Sequence, residues 1–329
     1  MQPAWTLLAN AEIRDDIIAA GADMLRAGAS AADVAERIAR DVEDDPNEHT
    51  VGYGGKPNIM GEVELDASFM DGDTLKAGAV AALKGFAHPI SVAREVMKRL
   101  PHVLLAGAGA ARFAEEIGAE RRDNLSPEAR QMWFDQLERM GLREQIFQGS
   151  NSMPDAKTLF QARVKDVIGA VNQALTVKEG HDTMNVIVRD AKGSVCSAVT
   201  TSGIAWKYPG RVGDSPVIGA GNYADSRHGA AACMGLGEIT IRLAIAARAV
   251  SLMRAGLSLQ EAGIDVLNDM QPVIGQSIAE HHMARADWVR VLIMDRHGNV
   301  GGFATRAGLH YKVHTSEDAQ PQLREAETL

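Results

Sequence analysis

Cysteine is nearly absent from this chain: Cys196 and Cys233 are the only two in 329 residues. That excludes a disulfide framework and a thiolate zinc cluster, and the spacing gives no support to a single bridge between the two. Basic runs are missing too. Lys and Arg number 34 against 43 Asp and Glu, a formal charge of −9 with no cationic cluster, so a nucleic-acid partner is not expected. No apolar run approaches the roughly 20 residues of a membrane span. The apolar piece Ala4 to Ala9 has no Lys or Arg before it and soon meets Glu12, Arg14, Asp15 and Asp16, unlike a secretory leader. The expectation is a soluble, cytoplasmic protein. What the chain does have is glycine, 32 residues against 11 prolines, which suits tight turns and close backbone approaches. Its 46% hydrophobic content is enough to bury one large core or two smaller ones.

The apolar periodicity sets out the elements in order. Ile13, Ile17, Ile18, Ala20, Met24 and Leu25 recur at helical spacing, with a stop at Gly28; Ser30 caps a second helix carrying Val34, Ile38 and Val42. A glycine-rich bend, Val51 to Pro57, precedes an alternating strand, Val63 to Gly72, whose hairpin partner is Ala77 to Leu83. Pro89 and Ser91 open a helix. His102 to Ala106 reads as a short buried strand, and Ala110 to Ile117 as a helix. Between them, Gly107-Ala108-Gly109 lacks the third glycine and the βαβ context of a dinucleotide site, leaving a tight turn with close helix packing. Residues from Ser126 to Leu142 read as a helix with Pro127 in its first turn, and 148–178 as a connector of no clear pattern. In the second half, Thr183–Asp190 and Val195–Thr201 read as adjacent strands. A long apolar helix is expected from Gly237 to Arg254, a shorter one from Leu259 to Asn268, then a hairpin of Trp288–Met294 with Asn299–Thr305 and a mobile polar tail beyond Thr315. Strands flanked by helix pairs in both halves favour layered sheets covered by helices, and disfavour a TIM barrel or a doubly wound sheet.

Two stretches carry chemistry. In Gly180-His181-Asp182-Thr183 the threonine opens a strand, where it is ordinarily just a good strand residue, and His181 and Asp182 suit a solvated turn. If the chain were cut before it, Thr183 would carry nucleophile and general base on one residue. Downstream, Arg211 and Asp214 sit three apart in a glycine-lined bend: a guanidinium for an α-carboxylate, a carboxylate for an α-ammonium, or simply a local surface ion pair. Other candidates are weaker. Glu280-His281-His282 lacks the spacing that would put two imidazoles on one helix face, and Ser202 and Ser215 have neither a local histidine nor nucleophile-elbow glycines. No metal site and no cofactor are expected.

Four ordered blocks give the chain a resemblance: Val51-Gly52-Tyr53-Gly54-Gly55 with Leu65 to Gly72; Pro89 to Arg94; Gly180 to Thr183; and Gly210 to Pro216 running into Gly219 to Asp225. Over roughly residues 10 to 306 it resembles the threonine-type N-terminal-nucleophile amidases, the glycosylasparaginase (aspartylglucosaminidase) and plant-type L-asparaginase/isoaspartyl peptidase family. The resemblance implies a four-layer αββα sandwich of α+β class, a single domain over 1–329 that cuts itself into an α chain, 1–182, and a β chain, 183–329. It implies His181, Asp182 and Thr183 at the cleavage site, and Thr183 as nucleophile against the side-chain amide of an asparagine-like substrate. Thr201 would position that nucleophile, Arg211 and Asp214 would clamp the substrate's α-carboxylate and α-amine, and Gly235 would bind substrate as a backbone oxyanion donor. A homodimer of αβ units is implied as well.

Two positions depart from the family's pattern. The oxyanion glycine is usually preceded by a threonine whose hydroxyl is the second donor; here that position is Met234, which cannot donate, and the adjacent Cys233 is a poor donor. Glycosylasparaginases also carry a Thr-Trp pair near the start of the α chain, where this sequence has Ala11-Glu12, and Trp5 lies too early to replace it. Glycosylasparagine is the expected substrate class. An L-asparaginase or isoaspartyl peptidase, or a silent relative that binds an amino acid without turnover, remain open.

Overall fold

A computed structural model of the protein describes residues 4–142, 166–175, 183–281 and 287–329. Among these, eight strands form one sheet: β1 (Thr6–Asn10), β2 (Leu65–Asp71), β3 (Ala77–Leu83), β4 (Leu104–Ala106), β5 (Met184–Arg189), β6 (Val195–Thr201), β11 (His310–Thr315) and β12 (Gln322–Glu325), in the order β12-β11-β1-β5-β6-β2-β3-β4. Every pairing is antiparallel except β3 with β4. A second sheet runs β10-β9-β8-β7, from β7 (Asn222–Asp225), β8 (Gly229–Gly235), β9 (Val289–Asp295) and β10 (Val300–Ala304).

The period of two along each strand decides what packs where. One face of the large sheet, with Leu7, Val186, Val188, Ala198 and Phe69, meets the apolar sides of α1 (Asp15–Arg26), α2 (Ala31–Glu43) and α3 (Pro89–Arg99). Its alternate residues, Leu8, Ile187, Val199 and Met70, share a core with Ala230, Ala232, Leu292 and Met294 of the small sheet. The other face of the small sheet, through Ala231, Cys233, Val291 and Ile293, meets α7 (Gly237–Leu243), α8 (Ile245–Arg254) and α9 (Leu259–His281). The remaining described helices are α4 (Gly107–Glu116), α5 (Pro127–Arg139) and α6 (Val167–Leu175). The fold is therefore of mixed α+β class.

Local signals stop and start the elements as read. Ser30 caps α2 by accepting from Asp33 N at 3.2 Å, and Ser126 caps α5 by accepting from Ala129 N at 3.1 Å. The hairpins β2–β3, β5–β6 and β9–β10 form with antiparallel registers.

Five expectations are corrected. The strand expected to be buried at His102–Ala106 is an edge strand, with Val103 47% and Leu104 44% exposed. Gly107-Ala108-Gly109 is not a turn but the first residues of α4, and a β-carbon on Gly107 or Gly109 would meet nothing within 4 Å, so close packing does not explain these glycines. The long helix over 237–254 is two helices, parted at Ala244 in the left-handed region (φ +49°). Tertiary bonds reward the break: Ala247 N donates to Gly219 O at 2.8 Å, which satisfies one of the donors left over in the first turn of α8. The helix from Leu259 does not end at Asn268 but runs past Pro272 to His281, because Met270 and Ile274 continue its buried stripe. The tail beyond Thr315 carries β12, whose four residues are exposed yet pair with β11 through the backbone, which needs no apolar pattern. Of the connector 148–178, the described part holds α6; the rest lies outside the described residues.

Candidate active site

Strands β5 and β6 pair with Met184 opposite Thr200, and the same register carried one step further sets Thr183 beside Thr201. Thr183 is 6% exposed and Thr201 2%. The Thr183 hydroxyl donates to Thr201 Oγ1 over 3.5 Å. Thr201 Oγ1 also accepts from Gly203 N at 2.9 Å and donates to Thr50 O at 3.3 Å. With its donor spent on a carbonyl, Thr201 can only accept from Thr183, so the Thr183 oxygen keeps its lone pairs for other partners. Thr50 is itself fixed, its N and Oγ1 donating to Glu48 Oε1 at 2.9 and 2.5 Å. The Thr50 carbonyl is thus a fixed anchor for the Thr201 hydroxyl.

Thr183, Thr201, Arg211, Asp214 and Gly235 line one cleft, together with Gly203, Ile204, Gly213 and Ser215. Gly235 ends β8 at φ +111°, and a β-carbon there would run into the Trp288 carbonyl oxygen, so only glycine fits. His181 and Asp182 lie outside the described residues. Met234 is 1% exposed and sits across from Arg290 in the β8–β9 ladder, on the face that carries Ala230 and Ala232 into the inter-sheet core. Trp5 stacks edge-on with His314 at 5.5 Å under the Arg26 guanidinium. Glu12 accepts from Arg290 Nη2 at 2.8 Å and from Asn10 Nδ2 at 2.9 Å, and Asn10 Oδ1 accepts from Asn185 N two residues beyond Thr183.

Arg211 and Asp214 are not a local pair. Arg211 donates through Nε and Nη2 to both oxygens of Glu238, at 2.9 and 2.8 Å. Burial opposes its charge, yet the Glu238 carboxylate holds its pKa above the ordinary arginine value. Asp214 is 3% exposed and accepts from Thr240 Oγ1 at 2.7 Å. Burial pushes its carboxyl up to about 6, against the Thr240 hydrogen bond and the Arg211 charge, which favour the ionised form. Sequence reasoning missed both partners. An acidic residue in the first turn of a helix reads as a complement to the helix dipole, and a helical threonine reads as nothing in particular.

Also unforeseen is a buried charge cluster beneath the loop. Lys207 Nζ lies 3.9 Å from Asp66 Oδ2 and 4.0 Å from Glu64 Oε2, and donates to Glu64 O at 3.3 Å. Glu64 in turn accepts from Gly210 N at 3.1 and 3.0 Å, next to Arg211. Burial pulls the Lys207 ammonium down and pushes the Asp66 carboxyl up. Both cysteines are free and buried, and burial pushes each thiol well above its ordinary pKa, so neither is a thiolate nucleophile. Among the described residues, no group of three or more His, Cys, Asp or Glu could hold a metal ion, and no helix is long and apolar enough to cross a membrane.

A family model described as asparaginase matches residues 8–318. An N(4)-(beta-N-acetylglucosaminyl)-L-asparaginase of Elizabethkingia miricola is 34% identical over 294 residues, covering 88% of this chain and 76% of that protein. A plant-type L-asparaginase of Pyrococcus abyssi is 35% identical over 286 residues, covering 87% of this chain and 83% of that protein. The chain spans 63% of the length of a matched Drosophila melanogaster relative, 36% identical over 263 residues.

Proposed function

This chain belongs to the asparaginase family, and on that premise we propose that it is an amidohydrolase that frees its own nucleophile and then cleaves the side-chain amide of asparagine derivatives, glycosylasparagine first among them. The observation that carries the reading is the convergence of Thr183, Thr201, Arg211, Asp214 and Gly235 on one cleft from four separate stretches of chain.

In self-cleavage the Thr183 hydroxyl attacks the Asp182 carbonyl carbon. The peptide C–N bond breaks, the ester so formed is hydrolysed by water, and the α-amine of Thr183 is freed, leaving chains 1–182 and 183–329. A peptide nitrogen is not basic, whereas a free α-amine titrates near 7.7–8.0 and can accept a proton close to neutral pH. In turnover that amine takes the hydroxyl proton as Oγ1 attacks the substrate's side-chain carbonyl, and returns it to the departing amine as the C–N bond breaks. Water then hydrolyses the β-aspartyl ester. Thr201 positions Oγ1, and Gly235 N–H faces the oxyanion. Arg211 takes the α-carboxylate and Asp214 the α-ammonium, which fixes the amide over the nucleophile. His181 and Asp182 belong to the cleavage site. A four-layer αββα arrangement goes with this reading, supported by the helix-to-sheet and sheet-to-sheet cores; a single domain over 1–329 and a homodimer of αβ units rest on the family resemblance alone.

A second reading, hydrolysis of L-asparagine or β-aspartyl peptides, is favoured by the stretch Ala11-Glu12, where Glu12 is engaged with Arg290 and Asn10 and offers no aromatic surface. Kinetics on asparagine, a β-aspartyl dipeptide and a glycosylasparagine separate the two. The highest kcat/KM is expected on the glycosylasparagine, and no release of amine or ammonia from any of the three would overturn both readings.

A further inference from the structure

We propose that the short helix α7 is the positioning element for the amino-acid clamp: Thr240 sets the Asp214 carboxylate and Glu238 sets the Arg211 guanidinium, so one helix fixes both halves of the site. This rests on the function proposed above and goes beyond it, since neither residue belongs to the blocks that carry the family resemblance.

Three contacts support it. Thr240, fully buried, donates to Asp214 Oδ2 at 2.7 Å; Gly237 O, at 3.0 Å, is the alternative acceptor, but a hydroxyl has one proton and the carboxylate is the shorter, charge-assisted partner. Glu238 grips Nε and Nη2 of Arg211, the side edge of the guanidinium, and so turns the edge that ends in Nη1 away from α7. Arg211 itself lines the cleft, which leaves that edge for a substrate carboxylate. Gly237 closes the arrangement. A β-carbon there would lie 2.7 Å from Asp214 N and 2.8 Å from Asp214 Oδ1, so the helix can start this close to Asp214 only with glycine.

The break at Ala244 parts α7 from α8, and α7 presents Gly237, Glu238 and Thr240 together to the 211–214 loop. Neither Glu238 nor Thr240 needs to touch substrate. Each holds a residue that does, and their loss should appear in binding before it appears in the chemical step. The charges facing Asp214 are those of Arg211 and Glu238, which act on it in opposite senses; the Thr240 hydroxyl is its neutral partner and favours the ionised carboxylate.

The test is calorimetric binding of L-aspartate across pH 5–8, with turnover of L-asparagine measured alongside, for wild type, Thr240→Val, Thr240→Ser and Glu238→Gln. Thr240→Val should weaken binding about tenfold or more, as loss of a hydrogen bond to a charged group does. It should raise KM more than it lowers kcat, and move the acidic limb of binding to higher pH; Thr240→Ser should restore all three. Glu238→Gln should weaken binding at every pH. Wild-type affinity and an unmoved limb in Thr240→Val would overturn the inference while leaving the proposed function intact. A wild type that neither binds L-aspartate nor releases amine or ammonia from L-asparagine, a β-aspartyl dipeptide or a glycosylasparagine would overturn the proposed function, and this inference with it. A Thr240→Val protein that unfolds is read through the serine and glutamine variants, where unchanged Kd and KM in Glu238→Gln would count against the helix.

Discussion

Arg211 finds its carboxylate in Glu238, at 2.9 and 2.8 Å, and not in Asp214 three residues along its own loop. The distinction matters. A local Arg–Asp pair on a surface neutralises itself and is worth about 0–1 kcal/mol. Two separately held groups, a cation and an anion lining one cleft, suit the proposed clamp on a molecule that carries both charges.

Removing the cation should therefore damage substrate capture. Arg211→Ala is expected to lower kcat/KM on asparagine and its β-amides by the equivalent of about 2–5 kcal/mol, because the substrate carboxylate loses a charge-assisted partner. Self-cleavage should be largely spared. Steady-state kinetics and a denaturing gel on the same preparation check both halves.

The anion carries a pH signature. Asp214 titrates near 6 in the folded protein, raised by burial from the ordinary 3.8. As pH falls through 6 the carboxylate takes up a proton, the partner for the α-ammonium is lost, and KM should rise while the deacylation rate is less affected. The stability sign is the reverse of the usual carboxylate case. Because the folded pKa is raised, the contribution of this group is most favourable below pH 4 and is lost as pH climbs through 6. Asp214→Asn should thus raise Tm at pH 7 or above and abolish amino-acid binding; a lowered Tm there would show that the charge is better accommodated than its burial suggests.

The charge cluster under the loop should be structural. Lys207→Met leaves Asp66 and Glu64 buried without the ammonium beside them, a change expected to cost about 3–5 kcal/mol in denaturant unfolding. Because Glu64 also holds Gly210 N, the surviving folded fraction should show a raised KM as well.

Met234 is the departure that bears on rate. If Gly235 N–H stands as one fixed oxyanion donor, Met234→Thr should raise kcat by up to the equivalent of about 2.7–4 kcal/mol, with KM little changed, since the oxyanion exists only in the transition state. An unchanged kcat on asparagine, a β-aspartyl dipeptide and a glycosylasparagine, in a correctly cleaved mutant, would remove Met234 from that role.

Thr183, Arg211 and Asp214 stood out in the sequence through the blocks at 180–183 and 210–216, whereas Thr201 and Gly235 were reached only through the family resemblance; all five line one cleft. The hairpins and the first two helices were legible from periodicity and from Ser30 and Gly28. What stayed hidden was settled by tertiary contact. Ala244 breaks a helix that its own residues would continue, Met270 and Ile274 draw α9 past the expected end, and β12 joins the sheet with no apolar side chain turned inward. Glu238 and Thr240 were illegible for a different reason: nothing in a helical glutamate or threonine distinguishes a solvated side chain from one that reaches across to a neighbouring loop.

The central claim is that Thr183 becomes the first residue of a second chain and the nucleophile on it. Intact-mass spectrometry of purified wild type and Thr183→Ala tests it most directly. Wild type should give two masses, those of residues 1–182 and 183–329, and the mutant one uncut, folded and inactive chain. A cut mutant, or a wild type that turns over asparagine amides as a single uncut chain, would contradict it.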